Sequence, residues 1–249
     1  MYLARTDSMS RKNTKTTPTA IKGYSSEVRV VLRVVKQGSV PEATRRLIDK
    51  LKHFQDKPFV LRSLNSLISP HRDMQRRVRV RAFRVLTVLI SYMDWATFRI
   101  GIPKTAFNDP VKHRAMIKRY EKMYNETMPE SSWFRYIDKL TQAGYLNSAN
   151  MDIRDQDGQI RGTAGLKWLT MKLMKELRLK SGWLDEQRNH ALGRLKNTGR
   201  CNVWPSYFSK MAQKKRVKAI VDEATQTESF QGQFDTGLTP LDLRYPPIH

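Results

Sequence analysis

The chain has 249 residues and a formal net charge of +23, because 46 lysines and arginines outnumber 23 aspartates and glutamates. Charge of this size indicates a polyanionic partner, and five tryptophans, nine tyrosines and nine phenylalanines exclude a purely disordered basic tail, which would lack core-forming residues. The single cysteine, Cys201, excludes an intrachain disulfide and a cysteine-based zinc site.

Residues 1–23 are predicted to form a flexible basic arm. They are rich in threonine, serine, lysine and arginine, and they contain no apolar segment of the kind that a signal peptide needs. No apolar run elsewhere approaches the roughly 20 residues that span a bilayer. We therefore expect a cytoplasmic protein with no membrane partner.

Two amphipathic helices are predicted in the N-terminal region, residues 24–70. The first covers 25–37, and Pro41 opens the second, since proline is favoured in the first turn of a helix. Their apolar residues recur at helical spacing: Val28, Val31, Leu32 and Val35 in the first, and Leu47, Ile48 and Leu51 in the second. A short apolar segment follows at 59–68.

The segment 72–93 is predicted to be the longest helix. One buried stripe is formed by Ala82, Leu86, Leu89 and Met93. The first half carries six arginines and one aspartate, and the arginines are Arg72, Arg76, Arg77, Arg79, Arg81 and Arg84. A solvated face is the plain interpretation, but the imbalance of charge favours phosphate contact. Arg76, Arg77 and Arg79, with Lys104 beyond the helix, are the predicted contacts.

A strand and a helix are predicted next. Residues 98–102 alternate apolar with small or charged residues, which is typical of a short strand. Residues 104–126 have a helical pattern that we expect to break before Pro110, since the residue preceding a proline avoids the α region. A turn at 125–128 leads to Pro129, which opens the following helix.

The segment 131–146 predicts a recognition helix that ends at Gly144, where glycine can adopt a left-handed cap. The core side is predicted to consist of Trp133, Ile137 and Leu140. Another face carries Ser131, Ser132, Arg135 and Lys139. That face suits a DNA groove, because arginine grips guanine with two donors, hydroxyls reach phosphates or base edges, and lysine neutralises phosphate.

Phe134 and Tyr136 do not fit the core stripe, and two interpretations remain open for them. They pack on the preceding helix or stack against DNA sugars. An amphipathic helix followed by a hairpin also occurs in protein-interaction modules, and DNA contact is favoured mainly by the net charge.

A β-hairpin wing is predicted after the recognition helix. Short strands at 151–154 and 159–161 flank Asp155-Gln156-Asp157-Gly158, and Asp-Gly is a hairpin signal because glycine supplies a positive φ without a clash. Arg154 and Arg161 lie near the predicted tip, from which they can reach an adjacent minor groove or the DNA backbone.

The C-terminal part is predicted to be helical and then to change character. Residues 165–179 form a helix with Leu169, Leu173 and Leu177 on one face. Residues 181–221 form further basic helices, at 181–197 and 204–220. The acidic segment 222–249 is predicted to be a mobile tail.

Patterns that would indicate catalysis are missing from the sequence. The histidines stand singly, at His53, His71, His113, His190 and His249. No phosphate-binding Gly-x-x-x-x-Gly-Lys-Ser/Thr loop exists. Asp152, Asp155 and Asp157 indicate a polar turn more than a metal site, because the ligand positions of a calcium loop are not filled. We expect no enzyme, no catalytic residue, no metal and no cofactor.

The predicted fold class is mainly α with short β-hairpins, with a winged helix-turn-helix at 71–180 and flanking basic helices. Helix, strand, helix, recognition helix and hairpin follow one another in winged-helix order. The motifs that carry a family resemblance are 79–84, 96–106, 151–155 and 158–163, followed by a Leu/Met-rich helix. In order and spacing, residues 70–200 resemble the RepA-type replication initiators of IncFII-like bacterial plasmids. A charged insert at 109–126 departs from that pattern.

The resemblance implies a bacterial protein that binds double-stranded DNA at its plasmid's origin, distorts the duplex and helps to recruit host replication proteins. Its place would be with plasmid or nucleoid DNA in the cytoplasm. Such initiators often carry two DNA-contacting modules, so the resemblance also implies that residues 24–70 belong to a second one. Self-association stays open.

Three other functions remain as alternatives. A transcriptional regulator would use the same domain, but no heptad seam or effector pocket is visible to support it. A primase-type enzyme would need clustered carboxylates, which the sequence lacks. An RNA-binding or assembly protein is suggested by the charge alone.

Overall fold

Helices provide most of the fold in the computed structural model, which describes residues 25–35, 40–67, 72–149 and 165–205, and the backbone of 152–154 and 160–162. The helices in this part are α1 (Ser26–Val34), α2 (Glu42–Lys52), α3 (Arg62–Asn65), α4 (Arg76–Ile90), α5 (His113–Tyr124), α6 (Glu130–Gln142), α7 (Met171–Glu176) and α8 (Ser181–Asn197). Short 3₁₀ turns at His53–Gln55 and Pro58–Leu61 join α2 to α3. The prediction of a mainly helical protein with short hairpins is confirmed.

The strands in the described residues form antiparallel pairs. They are β1 (Gly101–Pro103), β2 (Asn108–Pro110), β3 (Leu146–Ala149), β4 (Asp152–Arg154), β5 (Ile160–Gly162) and β6 (Leu166–Leu169). β1 pairs with β2, β3 with β6, and β4 with β5. Because β3 and β6 enclose β4 and β5 along the chain, the last two pairs form successive parts of one long hairpin.

A short stretch of backbone before β1 lies beside this hairpin. The Ile100 N–H donates to the Lys167 carbonyl at 2.8 Å, and the Leu169 N–H donates to the Phe98 carbonyl at 3.0 Å. The strand predicted at 98–102 is therefore partly confirmed. Its first residues pair with β6, and its last residues belong to β1.

Helix α4 lies at the centre of the hydrophobic core. Ala82, Leu86, Leu89 and Met93 are buried as predicted. Burial extends around the helix to Val85 and Val88, which are fully inaccessible to solvent. α2, α5 and α6 all contact α4, which explains why residues 85–90 at its end are buried on every side.

The N-terminal helices share this core. Val28, Val31 and Leu32 of α1 are buried in the same hydrophobic cluster as α4 to α8, and α1 packs against α5. Ser25 caps α1 by accepting the Val28 N–H at 3.4 Å, and its hydroxyl donates to Asp49 of α2. The region predicted as residues 24–70 is thus packed directly on the following helices.

Two helix ends follow the local chemistry of the sequence. Helix α6 is followed by Gly144 at φ 73°, which confirms the predicted left-handed cap. The Tyr145 N–H then donates to the Leu140 carbonyl at 2.9 Å. Pro129 precedes α6, as predicted, and supplies the carbonyl that accepts the Trp133 N–H.

Three predicted helices need correction. Residues 104–110 are not helical, because Asn108–Pro110 pairs with β1, and a side chain at Gly101 would meet Asn108 at 2.2 Å. The helix predicted at 165–179 begins only at Met171, after β6. The segment predicted as the longest helix has 15 residues in α4, whereas α8 has 17 and covers 181–197 as predicted.

Several predictions fall outside the described residues. They are the arm at 1–23, the hairpin turn at 155–158, most of the helix at 204–220 and the acidic tail at 222–249. The described residues belong to one compact unit that ends at Pro205. Among them, no helix has the length and apolarity needed to cross a membrane.

Candidate nucleic-acid interface

The outward face of α6 is only partly the face predicted from the sequence. Trp133, Ile137 and Leu140 are buried, which confirms the predicted core side. Ser131 and Arg135 are exposed, whereas Ser132 and Lys139 lie half-buried at the border of that face. The exposed face also carries Phe134 and Asp138. The four predicted groups therefore do not project equally.

Arginines from two helices meet at Tyr136. This tyrosine is 9% exposed, and burial raises the pKa of its hydroxyl. Arg81 of α4, Arg135 of α6 and, less strongly, Arg77 of α4 lie close enough to lower that pKa, while Glu126 raises it. We call Arg77, Arg81 and Arg135 the arginine cluster. Its members on α4 are four residues apart, so they occupy one helix face.

Neighbouring acids neutralise the arginine cluster only in part. Glu126 accepts from Arg81 at 3.2 Å and also pairs with Arg84, so one carboxylate serves two guanidinium groups. Among the described residues, no carboxylate forms an ion pair with Arg77 or Arg135, and both side chains are exposed. The surface shared by α4 and α6 is therefore positively charged.

Lys139 extends this positive surface along α6. Its ammonium lies 5.9 Å from the centroid of the Tyr136 ring, on the same helix as Arg135. Tyr136 was open to two interpretations from the sequence, and in the structure its side chain is buried, with Arg77 and Arg81 of α4 near enough to affect the pKa of its hydroxyl. Tertiary packing brings Arg81 of α4 close to Tyr136 of α6. The one sign of this surface in the sequence is the four-residue spacing of Arg77 and Arg81.

Arg79 must be withdrawn from the predicted phosphate contacts. Its side chain is buried, with 8% exposure, on the opposite side of the helix from the arginine cluster. The guanidinium donates to the carbonyl of Gln55 at 3.1 Å and to the carbonyl of Met74. Both carbonyls lie on segments that pack against the start of α4, so Arg79 holds the fold together.

Two other predicted cations are exposed but paired. Arg76 Nε lies 3.0 Å from Asp56 Oδ1, with about two thirds of each side chain exposed. Lys104 Nζ lies 2.7 Å from Asp109 Oδ2 on the hairpin formed by β1 and β2. Exposed pairs of this kind are weak. Arg76 and Lys104 remain predicted DNA contacts, and the charge of each is partly compensated by its aspartate.

The first turn of α6 presents unpaired donors. Pro129 offers no side-chain cap, and the first intrahelical bond runs from the Trp133 N–H to the Pro129 carbonyl at 2.9 Å. The N–H groups before Trp133 therefore lack partners in the helix. The helix dipole adds partial positive charge there, and this combination attracts phosphate. Glu130 in the same turn opposes that attraction.

An aromatic group from α5 supports the exposed side of α6. The Trp133 Nε1–H donates to His113 Nδ1 at 2.9 Å, and the Phe134 ring centroid lies 4.8 Å from that of His113. Burial, with a smaller effect from Lys167, lowers the pKa of His113 to about 4, so the imidazole is neutral at pH 7. Phe134 thus packs on the preceding helix while 38% of it stays exposed.

The predicted wing arginines are placed only by their backbone. Arg161 stands opposite Ile153, and Arg154 stands opposite Ile160, in the pairing of β4 with β5. Their side chains lie outside the described residues. Both residues keep their predicted role as contacts to the minor groove or to the DNA backbone.

The described residues hold no group of three histidine, cysteine or acidic side chains arranged to bind a metal. Cys201 has a free, half-buried thiol that accepts the Val203 N–H at 3.4 Å. The polar turn predicted near Asp155 and Asp157 lies outside the described residues.

Comparison with known proteins gives no match: no family model, no curated protein and no solved structure corresponds to this chain. The candidate interface is therefore defined by its own geometry and charge.

Proposed function

We propose that this protein binds double-stranded DNA sequence-specifically through a winged helix, and that it initiates plasmid replication without catalysing a reaction. The observation that carries the proposal is the arginine cluster, three exposed arginines of α4 and α6 that lie near Tyr136. Surfaces with uncompensated arginines attract the phosphate backbone, and arginine also reads guanine in the major groove.

The order and pairing of the elements support a winged helix. α4, the extended segment 98–100, α5, α6 and the long hairpin follow one another, and the extended segment lies along the outer strand of that hairpin. In this arrangement α6 is the recognition helix and the hairpin is the wing. The β1–β2 hairpin is an addition between the first strand and α5.

The exposed side of α6 has a composition suited to base recognition. Arg135 is oriented to solvent, and Ser131 precedes it by one turn, with no hydrogen bond from its hydroxyl to another described residue. An α-helix fits the major groove, which is about 12 Å wide. With α6 in the groove, the arginines of α4 lie beside it to contact the flanking phosphates.

Binding to DNA is tested with footprinting and band shifts. We expect the purified chain to protect direct repeats beside its own coding region and to prefer them over shuffled duplexes of equal composition. Structured RNA is the matched competitor for the alternative suggested by charge. Equal affinity for the repeats, the shuffled duplexes and the RNA would contradict sequence-specific binding to DNA.

The assignment to replication depends on the resemblance of the segment order to RepA-type initiators, so it needs its own test. A plasmid that carries the repeats but lacks the gene should replicate only when the protein is supplied from elsewhere. The variant Arg135→Ala should abolish that rescue. A change in transcription from a neighbouring promoter, without replication, would instead favour the regulator.

A further inference from the structure

Phe134 occupies an unusual position for a large apolar side chain. It lies on the exposed face of α6, one turn after Ser131, directly before Arg135 and one turn before Asp138. With 38% of its surface exposed, it is one of few large hydrophobic side chains so open to solvent in the described residues. Its polar neighbours leave the ring surrounded by hydrogen-bonding groups.

The ring is held in place from behind. Its contact with His113, at 4.8 Å between centroids, covers one side. His113 is itself fixed by the hydrogen bond from Trp133, whose side chain is fully buried in the core. Phe134 is therefore a supported apolar surface with one exposed side, and this is the arrangement that lowers the entropy lost on binding.

We infer that the exposed side of Phe134 contacts the C5-methyl group of a thymine, and that this contact sets base preference at one position of the DNA site. The inference depends on the proposed function, since it requires α6 to lie in the major groove. Among the groups that base pairs present in that groove, the thymine methyl is the one apolar group, and phenylalanine is a recognised partner for it.

The neighbours of Phe134 also carry groups that can contact base edges in the major groove. Arg135 has donors for guanine O6 and N7, and Asp138 has acceptors for the amino group of cytosine. A carboxylate at the centre of a surface meant only for phosphate would be unfavourable. Asp138 beside Phe134 therefore favours contact with base edges over contact with the backbone along this part of α6.

The test removes one methyl group from the DNA. In the duplex protected by footprinting, each thymine is replaced singly by deoxyuridine, which keeps every hydrogen-bonding group. We expect one replacement to weaken binding of the wild-type protein about fourfold, the effect of exposing one buried methyl-sized group. Phe134→Ala should bind the thymine and deoxyuridine duplexes equally well, so the fourfold ratio should fall to one.

Phe59→Ala is the matched control, because Phe59 is a more exposed phenylalanine, at 56%, outside α6. It should keep the fourfold ratio. Since each ratio compares two duplexes with one protein, partial misfolding of a variant cancels. A ratio of one at every thymine for the wild-type protein, or an unchanged ratio in Phe134→Ala, would overturn the inference. Retained preference for the repeats in the same experiment would leave the proposed function standing.

Discussion

Two faces of α4 use the same residue type in opposite ways. Arg79 points to the carbonyls of Gln55 and Met74 and is buried. Arg77, two residues earlier, is exposed and lies near enough to Tyr136, like Arg81 and Arg135, to lower the pKa of its hydroxyl. The number of arginines in this helix therefore does not measure its capacity to bind DNA. The capacity of each arginine to bind DNA depends on which carbonyls and carboxylates the fold brings to its guanidinium group.

The β1–β2 hairpin extends the comparison. Its exposed cation Lys104 has Asp109 at 2.7 Å, across the paired strands. The arginine cluster has one carboxylate, Glu126, which also serves Arg84. Residues 101–110 contain one lysine and one aspartate, so their charges balance, whereas the surface on α4 and α6 keeps an excess of positive charge. Variants at the two surfaces should therefore behave differently.

The largest expected effect is on folding. Arg79→Ala leaves two carbonyls without their donor and should lower the free energy of unfolding by about 2–4 kcal/mol, since hydrogen bonds to charged groups are the stronger ones. Arg77→Ala, at an exposed position, should change it by less than about 0.5 kcal/mol. Urea denaturation at pH 7 measures both. Equal losses would show that the two faces are not distinct.

Acid should destabilise the support beneath the exposed face of α6. The folded pKa of His113 is about 4, below its ordinary value of 6.5, so the unfolded chain binds the proton more readily. This contribution is complete above pH 6.5 and is lost as the pH falls towards 4, amounting to about 2–3 kcal/mol. Urea denaturation across that range should show the loss in the wild type.

The variant His113→Asn tests the origin of this acid sensitivity. Asparagine keeps an acceptor for the Trp133 indole but has no titrating group, so the difference between wild type and variant should depend on pH. His190→Asn, at an exposed position on α8, is the control and should follow the wild type. A pH dependence that persists in His113→Asn would place its source elsewhere.

Binding should distinguish the uncompensated cation from the paired one. Arg135→Ala should weaken binding to the origin repeats by about 1–3 kcal/mol and relax base preference, because a bidentate contact to guanine is lost. Lys104→Ala removes a cation that Asp109 partly compensates, and should cost less than about 0.5 kcal/mol. Titration by fluorescence anisotropy measures both. A larger loss for Lys104→Ala than for Arg135→Ala would show that the β1–β2 hairpin, and not the arginine cluster, contacts the DNA.

The smallest effect concerns a buried cation on β6. Lys167 is 2% exposed, its ammonium donates to the Gly165 carbonyl at 2.8 Å, and burial lowers its pKa to about 8. Lys167→Met should raise the free energy of unfolding at pH 7 by about 1 kcal/mol, since the unfavourable burial of charge outweighs one hydrogen bond. The exposed Lys172→Met is the control. A destabilised Lys167→Met would show that the ammonium is held more favourably than its burial indicates.

The sequence was most informative where short-range chemistry decides the structure. The left-handed Gly144, the start of α6 after Pro129 and the buried stripe of α4 were all predicted, because each depends on residues within a few turns. The strand β6 was missed, since its buried positions include Lys167, which breaks the apolar alternation. A polar residue at an inward position hides the period of two that marks a strand.

Long-range contacts explain the errors in the candidate site. Arg79 meets the Gln55 carbonyl, 24 positions away, and Arg84 meets Glu126, 42 positions away. No periodicity in the sequence reports such partners. The exposed face of α6 also differs from the predicted face. Because Tyr136 is buried, Ser132 and Lys139 lie at the border of the exposed face, and Phe134 is part of it.

The salt dependence of DNA binding shows whether the arginine cluster contacts phosphates. The triple variant Arg77→Ala, Arg81→Ala, Arg135→Ala should lower the log–log salt slope by about 1.8, because the two lost phosphate contacts of Arg77 and Arg81 each remove roughly 0.9. The control variant Arg194→Ala, Lys196→Ala, Arg200→Ala removes the same charge from exposed positions at the end of α8 and beyond. We predict that it keeps nearly the wild-type slope. An equal fall in both variants would contradict the account, because net charge rather than the arginine cluster would then attract the DNA.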